Sequence, residues 1–300
     1  MVSPMSPITL NDLLAKAGIN LAETLVLRHR PYEQSFARVL PWLAAERRDL
    51  FDAYQSTQGD KLERAMQALP WLVSCIAHGA GQALFVGLYR IGDSRPMTRE
   101  QFWSLPEHIE LKGLGMRGFR DRIEDPRETI QQFETTLEPF LADWRGKLIL
   151  SWPPPERSWW RRAHRNDMGV QAVLQDPVWD KEVGDWRLIT LSWAELRVMP
   201  GRLRAALEQW RGVYLIRDES DGRAYVGSAA GQDNILGRWQ AYAATGHGGN
   251  ALLRVRDPSS FRFSILERVS PDMPVRDVVE IETSWKIRLA TRGQFGLNEN

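Results

Sequence analysis

One cysteine among 300 residues excludes an internal disulfide, and without partner thiols Cys75 cannot build a thiolate zinc site. Its apolar setting, WLVSCIA, marks it as an inert core thiol. An excess of charge of one sign is also missing: 39 Lys and Arg against 38 Asp and Glu leave a formal net charge of +1. No global field therefore draws the chain to nucleic acid, and any such contact has to come from local basic patches. No stretch approaches the apolar length that crosses a bilayer, and the opening MVSPMSPITLNDLL lacks the basic start and apolar core of a secretory signal. The expectation is a cytoplasmic protein without a membrane partner. Histidine is sparse, and His29, His78, His108 and His164 have neither metal-like spacing nor a nucleophile motif around them. An independent enzyme in the first 200 residues is thus disfavoured, and there is no internal repeat or low-complexity tract.

What is present is ordinary for a folded protein: 43% hydrophobic and 26% charged residues, with enough length for two domains. Tryptophan is abundant, at 13, and Trp103, Trp144, Trp152, Trp159, Trp160, Trp179, Trp186 and Trp193 crowd one stretch, where large aromatics are expected in the core. Residues 8–70 read as helical, with Phe36, Val39, Leu40 and Leu43 at three- and four-residue spacing. Strand-like runs follow from Ala83, Lys147, Gly169 and Trp186, separated by Pro, Gly or Asp. Between them EDPRETIQQFETTLEPFLADW predicts one helix carrying Ile130, Phe133, Leu137 and Leu141 on a stripe. The fold class is α+β, with a tryptophan-rich mixed first domain around a modest antiparallel sheet. A boundary near Met199-Pro200-Gly201 gives domains 1–203 and 204–300.

From Gly212 the chain reads GVYLIRDESDGRAYVGSA, two short β-runs around an Asp-Gly turn, which is a hairpin by local chemistry. In NILGRWQAYAATG the four-residue spacing puts the guanidinium of Arg238 and the phenol of Tyr242 on one helix face. FRFSILERV predicts a third strand, and VRDVVEIETSWKIRL a helix with Val278, Ile281, Trp285 and Leu289 inward and Glu282 at the edge of that stripe. A carboxylate so placed needs a partner. That partner is either Lys286 one turn on or a hard divalent cation, which accepts one carboxylate and completes its shell with water and phosphate oxygens. Arg238 is likewise either solvated or a bidentate phosphate fork.

The triplets Gly212-Val213-Tyr214 and Tyr225-Val226-Gly227 resemble those that name the GIY-YIG nucleases, each with valine where isoleucine gives the name. The order of the downstream elements, and the closing GLNEN with Asn298, follow the same family over nearly all of the last hundred residues. The resemblance implies a three-stranded antiparallel sheet flanked by helices and a metal-dependent endonuclease that hydrolyses DNA phosphodiesters. It implies one Mg²⁺ or Mn²⁺ held by Glu282 on the leaving-group side, and Arg238 neutralising the non-bridging oxygens. Tyr214 or a neighbouring water would take the nucleophile's proton, Tyr225 and Tyr242 would orient water and phosphate, and Asn298 would brace the site. Two departures stand out. Ser228-Ala229 replaces a lysine that some members carry after the second triplet, as in the homing-endonuclease branch, and AGQDNI lengthens the gap from Tyr225 to Arg238.

For the first domain the residues leave alternatives open. ERSWWRRAHR sets Trp159 and Trp160 among Arg161, Arg162 and further arginines, either a DNA-contacting loop or core tryptophans with solvated arginines. LKGLGMRGFR suits a loop near phosphates but is no nucleotide fingerprint, lacking a strand-to-helix context. In GHGGN, His247 and Asn250 either touch DNA or form a glycine-rich turn. A small catalytic module has little surface for choosing a target, so residues 1–203 are expected to select the DNA, by capture of an extruded, modified base in one version. The reading is a restriction-like or antiviral nuclease, with two copies pairing where both strands are cut. A repair or mobile-element endonuclease, and an inactive DNA-binding protein of the same fold, are the alternatives.

Overall fold

The computed structural model describes residues 8–180, 184–231 and 234–299. It is a mixed arrangement of helices and two sheets, in two compact units, Met1–Asp180 and Lys181–Asn300.

The first unit runs α1 (Leu10–Lys16), β1 (Thr24–His29), α2 (Gln34–Glu46), α3 (Arg48–Gln55), α4 (Asp60–Ala68), β2 (Trp71–Ala77), β3 (Gln82–Thr98), α5 (Arg99–Ser104), α6 (Pro106–Gly113), β4 (Thr129–Leu137), β5 (Leu148–Ser151), β6 (Trp160–Arg162) and β7 (Val170–Val173). Seven strands form one sheet in the order β6-β1-β2-β3-β5-β7, with β4 also paired to β3. Helix α1 starts on a capping box between Thr9 and Asp12, a device worth about 1 kcal/mol.

Three expectations for this unit are corrected. Residues 8–70 are not all helical, because TLVLRH is strand β1, buried at every position and paired parallel to β2. Strands covered on both faces read as continuous apolar runs, which periodicity does not separate from buried helix. For the same reason the sheet is mixed, not antiparallel. The segment expected as one long helix is strand β4, which pairs with the second half of the 17-residue β3. Thr129, Ile130, Thr135 and Thr136 favour that choice, and the irregularity in the pairing, between Ile91 and Ser94, falls between Phe133 and Thr135. Of the eight crowded tryptophans only Trp152 is fully buried. The others are half-buried, and Trp103, Trp186 and Trp193 carry a cation over the ring.

The second unit contains β8 (Thr190–Ser192), α7 (Trp193–Arg197), α8 (Gly201–Gln209), β9 (Arg211–Asp218), β10 (Ala224–Ala229), α9 (Asn234–Thr245), α10 (Ala251–Arg254), β11 (Phe261–Val269) and α11 (Val275–Arg288). Its sheet has four strands, β10-β9-β11-β8, every pairing antiparallel. The expected boundary at 203/204 moves to 180/181 and the expected three strands become four, because β8 pairs with β11 through Ser192, Leu191 and Thr190. Ser192 then opens α7 through a buried capping box with Glu195, and the indole of Trp193 donates to the carbonyl of Tyr242 at 3.2 Å. The Met199-Pro200-Gly201 break is a turn inside this unit, which directs the chain into α8.

Candidate active site

The hairpin β9–β10 sets the frame. Its Asp221-Gly222 turn uses a left-handed Gly222, φ 79°, which glycine adopts without strain. Asp218 anchors the turn, accepting from Ser220, from Ser260 at 2.8 Å and from Arg256 at 2.5 Å. Burial works to raise the Asp218 pKa, but hydrogen bonds from Ser220 and Arg256 prevail and hold it at about 2. Cross-strand register sets Tyr214 opposite Gly227 and Tyr225 opposite Ile216, so the two phenols lie diagonally on one face.

Both glycines of the triplets have steric reasons to be glycine. A Cβ on Gly227 would lie 2.5 Å from the Tyr214 hydroxyl and 2.9 Å from the Tyr225 ring. A Cβ on Gly212 would lie 1.9 Å from the carbonyl oxygen of Glu267, at the irregularity where β11 shifts register against β9. A third clearance comes from Gly248, φ 55°, where a Cβ would fall 2.6 Å from the ring of Tyr242. In the sequence the GHGGN glycines read as a turn, and nothing local in it shows that one of them clears the ring of Tyr242.

Three tyrosines and one arginine converge in this frame. The ring centroids of Tyr214, Tyr225 and Tyr242 lie 6.1–6.4 Å apart, and the Tyr214 and Tyr242 hydroxyls are 3.2 Å from one another. Tyr214 and Tyr242 are buried, whereas Tyr225 is half-exposed. Burial pushes the Tyr214 and Tyr242 phenols well above their usual range, so both stay neutral. Arg238, one turn before Tyr242 on α9, has its guanidinium beside these hydroxyls, and Tyr214 holds its pKa above the ordinary value. This is an exposed cation with hydroxyl groups beside it, a set suited to the oxygens of a phosphate. The Gln232-Asp233 part of the gap leading to Arg238 lies outside the described residues.

Asn298 is buried and bonded to the backbone next to Tyr225. Its Oδ1 accepts from the amide of Val226 at 2.9 Å and its Nδ2 donates to the same residue's carbonyl at 2.8 Å. The side chain thus completes the free edge of β10 as a strand would.

Glu282 stands on α11, whose inner face packs on β9 and β10. The ammonium of Lys286 lies 2.6 Å from its carboxylate, and both side chains are largely sheltered. Of the two partners open to Glu282 the structure realises the lysine. No hydrogen bond or ion pair joins Glu282 to the tyrosines or Arg238 among the described residues, and no group of three His, Cys, Asp or Glu able to hold a metal is found among them. Leu289, expected inward, is 42% exposed.

His247 and Asn250 take the turn reading. His247 Nδ1 accepts from the amide of Gly249 at 3.0 Å, and Asn250 caps α10 by accepting from Leu253. In the first unit Trp160, Arg161 and Arg162 form edge strand β6 against β1. Arg161 is not available to phosphate. It donates to the carbonyls of Pro153, Pro155 and Trp160 and lies over Trp152, locking the WPPPE turn. Arg162 is half-buried, and Trp159 and Trp160 pack partly against the cluster that contains Leu25, Leu27 and Tyr89. Trp159 also lines a cleft with Met116, Arg117, Gly118, Phe119 and Arg120, so the two basic stretches singled out in the sequence meet at one place.

Set against known protein families, curated proteins and solved structures, the chain has no match.

Proposed function

We propose that the chain is a metal-dependent DNA endonuclease of the GIY-YIG kind that its second unit resembles in sequence, with the first unit selecting the target in a restriction-like or antiviral role. The supporting observation is the convergence of three phenols and one guanidinium, with glycines clearing the space around them. Hydrolysis of a phosphodiester needs an oriented water and stabilisation of charge building on the phosphoryl oxygens. Arg238 supplies the charge. Tyr225, the phenol that reaches solvent, orients the water. Tyr214 and Tyr242, neutral and buried, do not act as the base: the Tyr214 hydroxyl oxygen accepts from the Arg238 guanidinium, and the Tyr242 hydroxyl pairs with that of Tyr225, so that both hold the working groups in place.

Glu282 is the residue that would hold Mg²⁺ or Mn²⁺. Its single carboxylate fits a hard cation that takes its other ligands from water and phosphate, once Lys286 has released it. The cation, when bound, stabilises the negative charge of the leaving oxygen. The Glu282–Lys286 pair also favours one alternative, a DNA-binding protein without cleavage, in which the lysine neutralises the carboxylate permanently.

Single-turnover cleavage of labelled duplex DNA separates the two. With Arg238→Ala the rate is expected to fall by about 10²- to 10³-fold while DNA affinity changes little. Equal affinity and no cleavage by either protein under any metal would support binding alone.

A further inference from the structure

The cleft lined by Trp159 lies wholly in the first unit and has a volume of about 700 Å³, within the range of small-molecule sites. Aromatic side chains surround it. Tyr32 is 90% exposed at its mouth, Phe36 is buried, and the Tyr54 ring lies 5.1 Å from both Phe36 and His29. His29, ending β1, is 3% exposed and lines the cleft. The Gln55 side chain interacts with its imidazole, and the imidazole Nε2 is sealed from solvent.

Charge in the cleft narrows the ligand class. Arg117 pairs with Glu124 and Glu33, and Arg127 with Asp125 and Glu63. Carboxylates therefore line the same space as the guanidiniums, which disfavours an anion inside and favours an uncharged aromatic ring with a polar edge. Arg30 and Arg157, exposed and without a carboxylate partner among the described residues, stand among the lining groups and suit phosphates flanking such a ring.

Resting on the reading that DNA is the substrate, we propose that this cleft receives one unstacked nucleobase, which stacks on its aromatic lining of Tyr32, Tyr54 and Trp159. Stacking on an aromatic side chain is open to any base, because every base presents a π-face. The first unit would thereby sort DNA by whether a base can leave the helix, which is information a phosphate contact does not carry.

The test is fluorescence anisotropy with the full chain in EDTA, using labelled duplexes that are identical except at one central position. That position is fully paired, mispaired, or abasic, with all four bases and 5-substituted cytosines tried. The wild type is expected to prefer the best mispaired base over its abasic twin by about tenfold or more. Trp159→Ala should abolish that preference. So should Tyr32→Ala, whose exposed position keeps folding intact, while Arg30→Glu with Arg157→Glu weakens all duplexes alike. Equal affinity for base and abasic duplexes, or a preference that survives both aromatic substitutions, overturns the proposal while leaving the nuclease reading intact. Failure to bind any DNA overturns both, and an unchanged base preference in Arg238→Ala supports the cleft independently of cleavage.

Discussion

Tyr214 has its hydroxyl against Tyr242 on one side and the bare Cα of Gly227 on the other, so the phenol has no room to retreat. Gly227→Ala must push aside either Tyr214 or Tyr225. Overpacking of this kind costs about 1–3 kcal/mol, and a thermal melt should show it as a lowered midpoint together with loss of cleavage. A midpoint and rate equal to wild type would mean that the cluster relaxes freely. His29 offers a second test, read through pH. Burial holds its pKa at about 4 against an ordinary 6.5, so the folded form takes up its proton later than the unfolded chain. The stability it contributes is complete above about 6.5 and is lost as pH falls toward about 4. Urea midpoints of the wild type should therefore fall more steeply over that window than those of His29→Phe, and parallel curves would contradict the buried neutral imidazole. The tyrosines and Arg238 are legible in the sequence because a hairpin signal and an i,i+4 pair place them locally. Gly248 and Trp193 are not, because their contacts with Tyr242 depend on tertiary packing.

Strand β10 is closed at its outer edge by the Asn298 side chain together with the Leu297 amide, which donates to the carbonyl of Ala224. Asn298 makes both hydrogen bonds to Val226, so Asn298→Ala strips a buried amide and carbonyl of their partner at about 1–3 kcal/mol for each group left unsatisfied. Hydrogen exchange should then speed at Val226, and an unchanged exchange rate would show that the edge is held otherwise. Helix α11 carries the other test. Lys286→Met removes the ammonium that occupies Glu282, so a cation need not displace it, and half-maximal cleavage should move to lower Mg²⁺. A shift to higher Mg²⁺ would instead make Lys286 part of the working site. The elements themselves were unevenly legible. Hairpin β9–β10 and helix α9 follow from an Asp-Gly turn and a clear helical spacing. Strand β4 misleads because Ile130, Phe133, Leu137 and Leu141 mimic a helical stripe, while its β-branched residues and the vacant second half of β3 decide for strand. Strand β8 is only three residues long, too short for alternation to mark it.

Across the molecule, the near-zero net charge of +1 means that the proposed function requires any affinity for DNA to come from placement and not from bulk field. Arg238 stands among the tyrosines of the second unit, and Arg30 and Arg157 at the cleft of the first. No helix among the described residues is long and apolar enough to cross a membrane. The mixed class was readable from alternating strand-like and helical runs, but the division between units was not. The break at Met199-Pro200-Gly201 reads as a boundary with a packed connection after it, and the pairing of Leu191 with Phe263 reveals that the second unit begins before it. The most direct measurement is conversion of supercoiled plasmid by the full chain in Mg²⁺ or in EDTA, wild type beside Glu282→Ala and Arg238→Ala. Metal-dependent nicking or linearisation by the wild type, abolished by EDTA and lost in both variants, is the expected result. Cutting that survives Arg238→Ala and Glu282→Ala, or no cutting of any plasmid while DNA binding persists, would contradict the assignment of this site to phosphodiester hydrolysis.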